Sequence, residues 1–178
     1  KLDSPLQGHP DSRKFPALEA CTGSLGQGLS IASGIALAGR LDKKDYHVYV
    51  MLGDGELNEG SVWEAAMSAS HFKSDNLIAI VDNNKVSQDN ITADLKVIEP
   101  VDGKFEAMGW HVIRIDGHDI PAIIDALEEA VEVKGKPTVI VADTIKGKGV
   151  SFMEGNKDYH GKAPDEEHFK KALEELNG

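Results

Sequence analysis

Four short runs in this chain are apolar almost from end to end: residues 46–52 (YHVYVML), 76–82 (NLIAIVD), 110–115 (WHVIRI) and 137–143 (PTVIVAD). They are rich in β-branched residues and do not alternate polar with apolar, as expected of strands buried on both faces of a parallel sheet. Before and between them, residues 22–40, 57–72, 98–109 and 119–133 read as helices, and 165–176 closes the chain as an amphipathic helix. Strands alternating with helices predict βαβ units, hence an α/β fold with a mainly parallel sheet and helices on both faces. No repeat or low-complexity tract interrupts the pattern, and residues 1–178 read as a single domain. The stretch 144–164 has no periodicity, and a loop of that length is usually functional or disordered.

In an open parallel sheet, ligands bind beyond the carboxyl ends of the strands. Gly53-Asp54-Gly55 directly follows the strand 46–52, and Asp82-Asn83-Asn84 follows the strand 76–82. One helix joins the two strands, which places them side by side and aims Asp54 and Asn84 into one crevice. One carboxylate and one amide oxygen form a hard donor set that suits Mg²⁺ or Ca²⁺ and not zinc. Mg²⁺ takes few protein carboxylates and fills its octahedron with phosphate oxygens and water. The flanking glycines allow a phosphate close to the backbone, and a helix starting near Leu57 would aim its N-terminus at the same place. Gly-Asp-Gly alone is more often a tight turn; the second motif one βαβ unit later displaces that reading.

Other ligand classes are excluded. An EF-hand fails because Val86 stands at the third oxygen-ligand position and the required glycine is missing. The run Gly23-Ser-Leu-Gly-Gln-Gly28 has the spacing G-x-x-G-x-G with no strand before it, so it is not a dinucleotide fingerprint, and no P-loop motif is present. A net charge of −11 argues against nucleic acid, and no apolar run reaches the ~18 residues of a membrane span. The one cysteine, Cys21, reads as a small buried packing residue; with no disulfide framework a reducing, cytoplasmic setting is expected. Trp63 and Met67, four apart on the helix 57–72, read as core. Gly26, Ser30, Gly34 and Ala38 form a ridge of small side chains, expected to pack against the sheet or a neighbouring helix, with a contact between subunits as the alternative.

The two motifs, with residues 56–82 between Gly55 and Asn83, resemble the signature of thiamine diphosphate enzymes. Within that group the chain resembles transketolases. It carries Gly8-His9-Pro10, Thr22-Gly23-Ser24-Leu25-Gly26-Gln27-Gly28, Trp110-His111-Val112 with Asp116-Gly117-His118-Asp119, Ile145-Lys146-Gly147-Lys148-Gly149, and His160-Gly161. The resemblance spans about Leu6 to Pro164 and is nearest to the N-terminal subunit of two-chain transketolases. It implies thiamine diphosphate and Mg²⁺, with Ca²⁺ as a possible substitute. It implies Asp54, Asn84 and the Val86 carbonyl as metal ligands, with Gly53, Gly55 and Asn84 at the diphosphate.

Gly23, Ser24 and Leu25 would line the aminopyrimidine. His160 would lie near the diphosphate and the reacting carbons, on an active-site loop 144–164, and His9 would face the substrate channel. Glu59 and Glu64 correspond to carboxylates near a subunit boundary. The resemblance further implies a C-terminal pyrimidine-binding partner subunit, sugar phosphate substrates and a homo- or hetero-oligomer. It also implies a preceding segment with two further histidines, so the chain is expected to be N-terminally incomplete and inactive alone. Another thiamine-dependent activity, or a non-catalytic assembly role, is the alternative.

Overall fold

The computed structural model describes Ser4, Gly8, His9 and residues 11–87 and 96–178. Among these residues four strands form one parallel sheet in the order β1-β2-β4-β3: β1 (Val48–Gly53), β2 (Leu77–Asn83), β3 (His111–Asp116) and β4 (Thr138–Asp143). Among the described residues the helices are α1 (Gly28–Leu41), α2 (Gly60–His71), α3 (Val101–Ala107), α4 (Ile120–Glu132) and α5 (Glu166–Asn177). The α/β class, the parallel sheet and the helices on both faces are as expected. Pro10 of the Gly-His-Pro motif lies outside the described residues.

Both faces of β2 and β4 are buried, which explains their unbroken apolar runs. On one face Leu77, Ala79, Val81, Val139 and Val141 meet Leu29, Ala32 and Ala36 of α1, Val62, Ala65 and Ala66 of α2, and Phe105 of α3. Phe105 is fully buried between Trp63 and Trp110, with ring centroids 5.3 Å from each. On the other face Ile78 and Ile140 meet Ala126 and Ala130 of α4. That helix covers β3 and β4. At the β1 edge, Tyr49 and Met51 on the same face remain exposed.

The register brings the carboxyl ends of the strands level. Gly53 stands opposite Asp82, Asn83 opposite Asp143, and Asp143 opposite Asp116. Every chain exit at this edge therefore carries a polar residue, so the edge is where a site can form.

Three expected elements differ in detail. The helix read from Thr22 begins at Gly28, because Gly26 takes φ +82° and stops helical propagation toward the N-terminus. The helix read from Leu57 begins at Gly60; a short 3-10 turn, Gly55–Asn58, precedes it. The small-residue ridge does not pack inward. Gly26 is buried in the loop, but Ser30, Gly34 and Ala38 are not buried, because Leu29, Ala32, Ser33 and Ala36 form the buried stripe of α1.

Candidate cofactor and metal site

The β1 and β2 exits interlock. Asp54 follows β1 and is buried, 1% exposed. Its Oδ1 accepts the Gly55 N–H at 2.8 Å and its Oδ2 accepts the Lys85 N–H at 2.7 Å. Lys85 holds a left-handed backbone, φ 64°, which turns its N–H back toward β1. A methyl group on Gly55 would lie 3.1 Å from the Ser87 Cβ, so the two loops are packed closely here.

Asp82 orients Asn84. The Asp82 carboxylate accepts from the Asn84 Nδ2 at 2.9 Å and from the Thr144 hydroxyl. A carboxylate accepts only, so it takes the amide nitrogen of Asn84 and leaves the oxygen on the other side. That oxygen accepts the Val86 N–H at 3.0 Å. Asp54 and Asn84, read from sequence as a pair, and Val86, added by the resemblance, are thus joined through backbone N–H groups of a single loop.

A charged network stands behind that loop. Asn83 donates to Asp143 at 2.8 Å and to Glu99 at 3.3 Å. Arg114 grips Asp143 with two bonds, at 2.8 and 2.9 Å, and Lys85 bonds Glu99. Burial disfavours the Glu99 carboxylate, but the Lys85 ammonium, the Val101 N–H and the Asn83 amide outweigh it and hold its pKa down to about 2. The Arg114 hydrogen bonds lower the pKa of Asp143 in the same way. Sequence reasoning passed over Glu99, Arg114 and Asp143. A signal existed for Asp143, which ends a strand at the ligand-binding edge.

A cavity of about 720 Å³ opens beside β1, lined among others by His9, Gly23, Ser24, Leu25, Tyr49 and Glu56. His9 sits against Gly23: a Cβ there would be 3.0 Å from the imidazole Cγ. The residues expected at the aminopyrimidine therefore share one wall with His9. His160 does not line this cavity; it is exposed at the end of the 3-10 turn Lys157–Tyr159, in a loop folded by bonds such as Gly155 N–H to the Lys146 carbonyl at 2.9 Å. Glu59 and Glu64 are exposed at the start and on the outer face of α2. Cys21 is exposed, not buried, and accepts the Ser12 N–H at 3.1 Å. Among the described residues no helix is long and apolar enough to cross a membrane.

The donors present fit a hard cation. Among the described residues no three His, Cys, Asp or Glu side chains cluster to hold a metal by themselves. A set of one carboxylate, one amide oxygen and one backbone carbonyl leaves coordination positions for phosphate and water, as Mg²⁺ prefers.

Comparison with known proteins gives one answer. The family model for the thiamine diphosphate binding domain of transketolase matches residues 1–177. The chain is 45% identical over 174 residues to one of the subunits of an apulose-4-phosphate transketolase from Actinobacillus succinogenes, covering 98% of this chain and 63% of the relative. It is 45% identical over 171 residues to a 6-deoxy-6-sulfo-D-fructose transketolase subunit from a Clostridium species, covering 96% of this chain and 62% of that one. The crystal structure of Campylobacter jejuni transketolase superposes with a TM-score of 0.91 at 38% identity, covering 99% of this chain and 29% of that one. The chain thus spans under two thirds of the length of these relatives. With the match running over nearly every residue, the chain belongs to the transketolase family, as a thiamine diphosphate binding domain.

Proposed function

We propose that this chain holds the diphosphate of thiamine diphosphate through Mg²⁺, as a component of a transketolase that moves a two-carbon ketol unit from a ketose phosphate to an aldose phosphate. The observation that carries this is the interlock of the two strand exits: Asp54 bonded to the Lys85 N–H, with Asn84 and Val86 on the same loop. The cation would be held by Asp54, the Asn84 oxygen and the Val86 carbonyl, and Ca²⁺ would fit the same oxygens. Gly53 and Gly55 let the diphosphate approach the backbone, and Gly23, Ser24 and Leu25 receive the aminopyrimidine. Thiamine diphosphate, when bound, supplies the bond-making and bond-breaking chemistry at carbon.

The remaining work falls to the protein. His9, on the cavity wall, offers an imidazole that binds substrate hydroxyls or carries a proton at its ring nitrogen. His160, on the loop 144–164, is assigned the same role by the resemblance. A pyrimidine-binding partner completes the site in a homo- or hetero-oligomer. The relatives that are named as transketolase subunits support such a partner. Apulose 4-phosphate and 6-deoxy-6-sulfo-D-fructose are named for relatives, so the sugar differs among close kin while the ketol transfer is shared.

Calorimetric titration with thiamine diphosphate, with and without Mg²⁺, tests the binding claim. The expected result is Mg²⁺-dependent binding by the wild type and none by Asp54→Ala. Equal binding by Asp54→Ala would remove the metal assignment. The reaction is tested by mixing the chain with its pyrimidine-binding partner, then assaying sugar phosphates against pyruvate; turnover of pyruvate alone would sink it.

A further inference from the structure

Glu56 is the residue after Gly-Asp-Gly, and its side chain does not point to solvent. Its Oε1 accepts the Gly26 N–H at 2.8 Å, and its Oε2 accepts the Gly53 N–H at 3.3 Å. One carboxylate thereby ties the loop before α1 to the end of β1, across 30 residues of chain. The other side of Gly26 is held as well: the Ser61 hydroxyl donates to the Gly26 carbonyl at 3.1 Å. Gly26 is buried with φ +82°, and a Cβ there would lie 2.4 Å from the Ser61 Oγ and 2.8 Å from the Glu59 Cβ. The segment 56–61 therefore dictates where Gly26 lies, and with it Gly23, Ser24 and Leu25.

From this we propose that Glu56 is a positioning residue that sets the distance between the Gly23–Leu25 loop and the Asp54 loop. The proposal rests on the functional reading above, in which those two loops take opposite ends of one cofactor. Hydrogen bonds from N–H groups to a carboxylate are charge-assisted, so one side chain can hold two loops, tightly at Gly26 (2.8 Å) and more loosely at Gly53 (3.3 Å). A rival reading of the same contacts exists: the Gly26 and Gly53 N–H groups could be diphosphate donors that Glu56 merely occupies. The two readings predict opposite signs.

The test compares wild type with Glu56→Ala, Glu56→Gln and Ser61→Ala, using hydrogen exchange without cofactor and titration with thiamine diphosphate and Mg²⁺. For a positioning role, Glu56→Ala speeds exchange at Gly26 by at least ~10-fold while β2 amides keep their protection. Its Kd for the cofactor rises by about the same factor. Glu56→Gln retains an acceptor for Gly26 and restores most of both; Ser61→Ala weakens the same loop from its other side, and serves if Glu56→Ala does not fold. Unchanged Gly26 exchange in Glu56→Ala, or in Ser61→Ala where Glu56→Ala does not fold, or tighter cofactor binding by Glu56→Ala, overturns the proposal. Absence of cofactor binding by the wild type counts against the functional reading instead, and the exchange arm still decides whether Glu56 holds Gly26.

Discussion

The carboxylate of Asp54 accepts the backbone N–H of Lys85 at 2.7 Å, joining the exit of β1 to the exit of β2 across 31 residues. That bond, with the Gly55 N–H on the other carboxylate oxygen, fixes the Asp54 side chain in a buried position.

If this pair builds the cation site, ligand should stabilise the fold through Asp54. At a concentration of Mg²⁺ and thiamine diphosphate 100 times the Kd, linkage predicts about 2.7 kcal/mol. At ~2–4 °C per kcal/mol for a chain of this size, Tm should rise by roughly 5–10 °C. Asp54→Asn should abolish this rise, because it removes the negative charge and leaves one oxygen where Asp54 uses two to accept the Gly55 and Lys85 N–H groups. Differential scanning calorimetry reads both; an equal rise in the variant refutes the role.

Gly55→Ala tests the closeness of the two loops. Its new Cβ would sit 3.1 Å from the Ser87 Cβ, against an adjoining segment and not a flexible tip. Overpacking of this kind costs about 1–3 kcal/mol. The expected outcome is a lower urea midpoint with an unchanged m-value, accompanied by weaker Mg²⁺ binding.

Gly26→Ala should be worse for the fold than Gly55→Ala. It combines a left-handed backbone with a Cβ 2.4 Å from the Ser61 Oγ. Strain at φ > 0 adds ~1–2 kcal/mol to the overpacking. Urea unfolding of the two variants side by side gives the order; a Gly26→Ala protein as stable as wild type would contradict the geometry.

The Glu99 network predicts a pH dependence. Its folded-state pKa is held at about 2, below the ordinary 4.5. Between those values the unfolded chain binds more protons, so stability rises with pH there. The contribution is complete above about 4.5 and is lost as pH falls toward 2. Asp143, lowered by Arg114, acts in the same direction. Glu99→Gln should flatten the stability profile in that window, as read by urea unfolding at a series of pH values, and leave its shape unchanged near neutrality.

The juxtaposition of the two motifs in the candidate site was legible in the chain because its parts are local. Gly53-Asp54-Gly55 and Asp82-Asn83-Asn84 each end an apolar run, and a parallel sheet with one helix between two strands places those ends together. The expectation failed where exposure mattered. Met67 reads as core at helical spacing, yet it is 55% exposed, while Trp63 on the same helix packs against Phe105. Periodicity reports a possible face of a helix; what covers that face depends on where the neighbouring element ends.

Residue order alone determined the α/β class, the strands and the pairing of the two exits that carry Asp54 and Asn84, because strand apolarity and strand-end polarity are short-range signals. Folding in three dimensions decided the rest: that Lys85 bends left-handed to reach Asp54, that Asp82 turns the Asn84 amide, and that Glu56 binds Gly26. The bonds from Lys85 to Asp54 and from Gly26 to Glu56 have partners set by sheet register and loop packing, and no local pattern of residues encodes a partner 30 positions away.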